Sequence, residues 1–241
     1  MFANFGKQLY DNILANGRYM LYLNGLSRSL LITAGALLFG MILGSLTAII
    51  KVYAQDSRGT RVNIGLRLSA YLSDFYITVI RGTPVMVQLL IIYYFVFASA
   101  GRGTELYIAI FAFGLNSGAY VSEIVRAGIM AVDRGQTEAG RSLGLTANQT
   151  MRFIILPQAI KNILPALGNE SIVLFKETAI VGYIAIQDLT KAADLIRSRT
   201  FSPVPLLTAA FLYLVVVLFM SWGLRVFERR LARSDYRAQS M

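Results

Sequence analysis

The 241-residue chain is 56% hydrophobic and only 15% charged, carries a formal net charge of +10, and has neither cysteine nor histidine. That balance is too apolar for a soluble domain of this length. The missing residue types exclude disulfides, thiolate metal sites, histidine triads and histidine proton relays, so no catalytic or metal-binding residue is assigned.

Residues 1–20 contain Lys7 and Arg18 with polar residues between them and lack the apolar centre of a signal peptide. They are expected to remain as an extracytoplasmic or interfacial segment, followed by a transmembrane domain over residues 21–224 and a basic cytoplasmic tail over 225–241. A helix rising about 1.5 Å per residue needs roughly 20 residues to cross a hydrocarbon core of about 30 Å. The first charge-free interval, between Arg28 and Lys51, has 22 residues. Within it Ala36, Gly40, Gly44 and Ala48 form a small-residue face, which is read as packing inside the chain rather than as a dimer seam.

The next interval, between Arg81 and Arg102, has 20 residues; Thr83 is placed to cap it and Pro84 to occupy its first helical position. A third runs from Leu106 to Ser122, 17 residues, with Glu123 and Arg126 spaced for an ion pair just beyond it. The fourth, Phe153 to Ile186, is interrupted by Lys161, Glu170, Lys176 and Glu177, as expected of a helix that lines a cavity rather than lipid. Pro157 and Pro165 should kink or break its start. The fifth, between Arg199 and Arg225, has 25 residues. These intervals predict an all-α membrane protein of five transmembrane helices.

Five lysines or arginines lie from Lys51 to Arg81, four from Arg126 to Arg152 and five from Arg225 to Arg237. With five spans these segments share one side, which makes that side and the C-terminus cytoplasmic and puts the N-terminus outside. The three basic residues from Lys191 to Arg199 run against the pattern. No internal repeat is visible.

The connection around residues 131–157 has helical chemistry. Ala131 to Leu143 reads as a short helix ended by Gly144 in a left-handed cap. Thr146 opens a second helix, Gln149 completes a capping box with it, and this helix is expected to end at Leu156 and Pro157. The product would be a rigid knob.

Glu138, Ala139 and Gly140, then Gly144, then Ile154, Leu156 and Pro157 resemble the EAA loop of ABC importer permeases at every spacing, with Gly140 where the pattern has alanine. Arg81-Gly82-Thr83-Pro84 with Val87-Gln88-Leu89, Ala119-Tyr120 through Glu123 and Arg126, Gly135-Gln136, Leu156-Pro157-Gln158-Ala159, and Leu164-Pro165 with Asn169-Glu170 resemble the polar amino-acid permeases of the histidine, glutamine and arginine type. The resemblance implies a type I ABC importer transmembrane domain whose EAA loop is a coupling helix seated in a separate ATPase subunit. It implies a multi-pass protein of the bacterial cytoplasmic membrane, with lipid around it and no nucleic-acid partner. It also implies two ATPase subunits holding ATP and Mg2+, a second copy of the chain or a related permease, and an extracytoplasmic amino-acid-binding protein. The chain has no GxxxxGK[ST] phosphate loop of its own.

Glu170 and Glu177, nearly two turns apart, fall on one helical face and suit a cationic ligand. The resemblance adds Asn169 to this set, with Ser171 and Glu177 standing where the family more often has an aromatic residue and an aspartate, and Asn116 and Tyr120 are polar neighbours on the preceding span. Two readings stand: a substrate pocket for polar, preferentially basic, amino acids, or local pairing of Glu177 with Lys176 or Lys191 and of Glu170 with Lys161. An ion-coupled carrier or channel is the rival function; it would need no ATPase and no docking loop.

Overall fold

Charge-free runs and helix-forming sequence between them make the described residues helical throughout their regular structure. The computed structural model describes residues 5–56 and 64–239; the expected basic residues Arg58 and Arg61 lie outside the described residues. Among those described, ten α-helices follow one another: α1 (Phe5–Leu9), α2 (Arg18–Asp56), α3 (Ile64–Arg81), α4 (Val85–Ile91), α5 (Glu105–Met130), α6 (Arg134–Ser142), α7 (Ala147–Thr150), α8 (Leu156–Glu177), α9 (Leu189–Thr200) and α10 (Val204–Gln239). Wide π-type turns at Ile92–Val96 and Met151–Ile155 extend α4 and join α7 to α8, and a 3₁₀ segment, Thr178–Ile184, continues α8.

α2, α5 and α10 are each long and apolar enough to cross a membrane. The interval between Arg81 and Arg102 departs from expectation. Its helix begins only at Val85 and ends at Val96, about 18 Å of rise, short of a hydrocarbon core. The preceding stretch, expected to be a cytoplasmic connection, is α3, and the two together count as one broken span or a re-entrant pair. Arg67, Asp74 and Arg81 hide this helix from a charge count, while Leu68, Tyr71, Leu72, Phe75 and Val79 leave it an exposed apolar surface. Thr83 stands one residue before the N-cap of α4. Its hydroxyl donates back to the Val79 carbonyl of α3 at 2.8 Å, and Pro84 is the N-cap residue rather than the first helical one.

The chain divides into two compact units, Met1–Leu38 with Pro84–Gly114 and Ser171–Ser221, and Phe39–Thr83 with Leu115–Glu170 and Trp222–Met241. In the first, Tyr22, Leu189, Ala193, Ile196 and Ala209 form a buried cluster that joins the start of α2 to α9 and α10. Asp188, itself buried, caps α9 by accepting from the backbone N–H groups of Thr190 and Lys191, each at 3.0 Å. In the second, α2 lies against α5: a Cβ on Gly44 would stand 2.6 Å from the Gly118 carbonyl oxygen and 2.7 Å from Val121 Cβ. The small-residue face here is thus used within the chain, since only glycine lets the two backbones approach so closely.

Candidate functional site

The segment from Asp133 to Pro157, in the second unit, is built by local chemistry. The Asp133 carboxylate caps α6 by accepting from the Gly135 N–H at 2.6 Å. At the other end Gly144 takes φ +80°, its N–H donates to Arg141 O, and the Leu145 N–H reaches back to Gly140 O at 3.1 Å. These paired bonds satisfy the last carbonyls of α6 and stop it, as a left-handed glycine does. Thr146 and Gln149 form the expected capping box on α7. The second arm does not end at Leu156 and Pro157. It widens into the π turn and runs on into α8. The proline has no N–H to donate and its ring would crowd a regular turn.

The two arms brace one another. A Cβ on Gly140 would lie 2.7 Å from Thr150 Cγ2 and 3.0 Å from Ile154 Cδ1, and the Gln158 amide donates to Gln136 Oε1 at 3.3 Å. Of the residues assigned to coupling, Gly140 is buried and Ile154 half-buried between the arms, whereas Glu138, Ala139, Gly144, Leu156 and Pro157 are exposed. Leu143, at the tip, is 79% exposed. The motif therefore splits into a bracing half and a presenting half.

Behind the hairpin, Asn162 of α8 donates to the Gly128 carbonyl of α5 at 3.4 Å, and Tyr53 of α2 meets Asn148 Oδ1 of α7 at 3.5 Å. Glu123 and Arg126 pair as expected, with Nη2 2.7 Å from Oε2. Two partners were not anticipated. Lys51 Nζ lies 2.8 Å from Glu123 Oε1 and 3.0 Å from Asp74 Oδ1.

The residues expected to meet substrate fall in both units. In the second unit, Asn116 is buried on α5; Tyr120 carries the Arg81 guanidinium 5.2 Å from its ring centre; and Glu170 accepts from the buried Ser117 hydroxyl at 2.9 Å. Asn169 is exposed, and its amide donates to Pro165 O at 3.2 Å. Ser171 and Glu177 belong to the first unit, both half-buried on α8. α8 continues through Glu177 without interruption. Sequence reasoning missed Ser117 and Arg81 as partners of this set. Ser117 adjoins Asn116 in a small-residue stretch, and nothing in its spacing marks it as facing Glu170, 53 positions away.

The first unit also holds an open cleft of about 380 Å³, lined by Tyr183, Asp188, Lys191, Asp194 and Arg197 among others. Asp194 pairs with Arg197 at 2.7 Å and Lys191 at 3.7 Å, and the Arg197 guanidinium draws its carboxyl below the ordinary value.

A family model described as the binding-protein-dependent transport system inner membrane component matches residues 40–233. The chain is 42% identical over 198 residues to a putative glutamine transport system permease protein, GlnP, of Rickettsia bellii, covering 81% of this chain and 86% of that one. It is 38% identical over 215 residues to the arginine transport system permease protein ArtQ of Bacillus subtilis, covering 88% and 93%. Among solved structures, the crystal structure of an amino acid ABC transporter with histidines superposes with a TM-score of 0.79 at 43% identity, over 88% of this chain and 94% of that one. The MetNI methionine ABC transporter in an inward-facing conformation superposes at 0.72 with 18% identity, over 90% and 99%, a likeness of fold alone.

Proposed function

The chain belongs to the family of binding-protein-dependent transport system inner membrane components, the permease subunits of ABC importers, and from that membership we propose an ATP-driven importer of polar amino acids, to which the charge of its spans adds a preference for basic side chains. Its fold is the all-helical type I ABC importer permease fold, and the family's permease carries no ATPase site of its own.

One observation carries the mechanism. The Asp133–Pro157 hairpin is capped at each turn, braced arm to arm, and presents Leu143 and the exposed half of its motif outward. Such a knob transmits displacement because its own conformation is fixed by hydrogen bonds rather than by its partner. Two ATPase subunits, binding ATP and Mg2+, close around the knobs of two permease copies, and the displacement alternates access to a site among the spans. An extracytoplasmic binding protein delivers the amino acid. In this reading five spans cross a bacterial cytoplasmic membrane, with the N-terminus outside and the hairpin and C-terminus inside.

The basic preference rests on charge. Glu170 offers a carboxylate half-shielded from solvent beside Ser117; a cationic side chain offsets the cost of holding a carboxylate in a span. Relatives are named for arginine and for glutamine, so side-chain charge is the discriminating variable.

The test is uptake into vesicles holding the permease, its ATPase subunits and its binding protein. Labelled arginine should accumulate only with ATP, and unlabelled arginine or lysine should compete better than glutamine. Accumulation by the permease alone, driven by an ion gradient, would overturn the importer reading; preference for glutamine would overturn the basic assignment only.

A further inference from the structure

The contacts behind the hairpin point to a joint. α2 ends in the second unit with Lys51 and Tyr53, two positions apart, so their side chains leave the helix about 200° apart. On one side Tyr53 reaches Asn148 in the first turn of α7, and Val52, Tyr53, Ala147, Asn148 and Met151 enclose a gap of about 40 Å³. On the other, the Lys51 ammonium, its side chain only 13% exposed, touches Asp74 of α3 and Glu123 of α5. The end of α2 therefore lies between the hairpin and two other helices.

The chemistry of this cluster divides unequally. Arg126 is three residues from Glu123 on the same helix, so its bonds to both Glu123 oxygens are local to α5. Among the described residues of this cluster, Lys51 is the cation that comes from another helix. It meets two carboxylates with one nitrogen, which a rotatable ammonium with three donors can do. Without it, Asp74 and Glu123 would face one another with like charge where the ammonium had stood, and Arg126 would compensate in part.

We infer that Lys51 is a positioning residue for energy coupling: it clasps α2, α3 and α5 into one body, through which movement of the hairpin at Asn148 is passed to the spans. This rests on the importer reading above. The clasp requires charge at a defined distance, whereas docking of the ATPase requires only the hairpin surface. Loss of Lys51 should thus separate hydrolysis from transport.

The chain has no cysteine, which allows a clean chemical rescue. Lys51→Cys is purified, left untreated, aminoethylated with 2-bromoethylamine, whose bromide the thiolate displaces to give an ammonium side chain of lysine's length, or capped with the neutral methyl methanethiosulfonate. Each form is then assembled with the ATPase subunits and binding protein in vesicles, and arginine uptake and phosphate release are measured together. The untreated and methyl-capped forms should hydrolyse ATP within about twofold of the parent yet import about tenfold less arginine per ATP, and aminoethylation should recover most of that ratio. An unchanged ratio in Lys51→Cys, or a lost ratio that both reagents or neither restores, overturns the clasp. ATP-independent uptake by the parent complex would instead overturn the importer reading, and the clasp with it.

Discussion

Asp188 shows how a single acidic side chain can hold an element in place. It has no exposure, accepts two backbone N–H bonds at the start of α9, and lies within 3.4 Å of the Tyr213 hydroxyl. Asparagine can make the same cap and alanine cannot, so Asp188→Ala should cost about 1–2 kcal/mol and Asp188→Asn much less. Thermal unfolding in detergent would measure both. Burial also pushes the carboxyl above its ordinary value despite the N–H donors. A raised acid binds its proton more tightly when folded, so its contribution is fully present below the ordinary carboxylate range. That contribution is lost as pH rises through the raised value. Asp188→Asn should flatten this part of the stability profile above about pH 4; an unchanged slope would show that the group does not titrate with folding.

Helices α2 and α5 succeed as a pair because glycine removes side chains where the backbones meet. Gly44→Ala would drive a Cβ to within 2.6 Å of a backbone oxygen, whereas Gly40→Ala would meet Ser117 Cβ at 3.0 Å. Overpacking costs about 1–3 kcal/mol, so Gly44→Ala should destabilise toward the upper value and Gly40→Ala toward the lower, again by thermal unfolding. In the hairpin, Gly140→Ala would press on the buried Thr150, and adding Thr150→Ala should return part of the loss, a coupling that a double-mutant cycle reads directly. These elements differ in how legible they are in sequence. The capping box at Thr146 and Gln149 and the left-handed Gly144 are readable because each is settled within four residues. α3 was missed because its arginines and aspartate read as a loop, and α4 was read as too long because absence of charge says nothing about where a proline begins a helix. Lys51 meets Glu123 from 72 positions away, and no local spacing encodes that proximity.

For the whole molecule, the decisive question is whether the hairpin is a surface for an external motor. A capped hairpin that served only as a connection would have no use for a leucine at its tip, 79% exposed, because a polar residue there would fold as well. Exposed apolar anchors that enter a partner's pocket typically carry about 2 kcal/mol or more, a factor of about 30 in affinity. Leu143→Asp should therefore weaken association with the ATPase subunit by about that factor, measured by titration of the purified subunits. Its thermal stability alone should match the parent, since the side chain has little packing to lose. ATP-driven uptake should fall with ATPase occupancy and recover when the ATPase is supplied in excess. Lys51→Cys should not recover that way, because its defect lies after docking. A Leu143→Asp permease that binds its ATPase normally would place the docking contact elsewhere than the tip. A matching loss of stability would make Leu143 a folding residue, and the knob would then have to act through the exposed Glu138 and Ala139 side of α6.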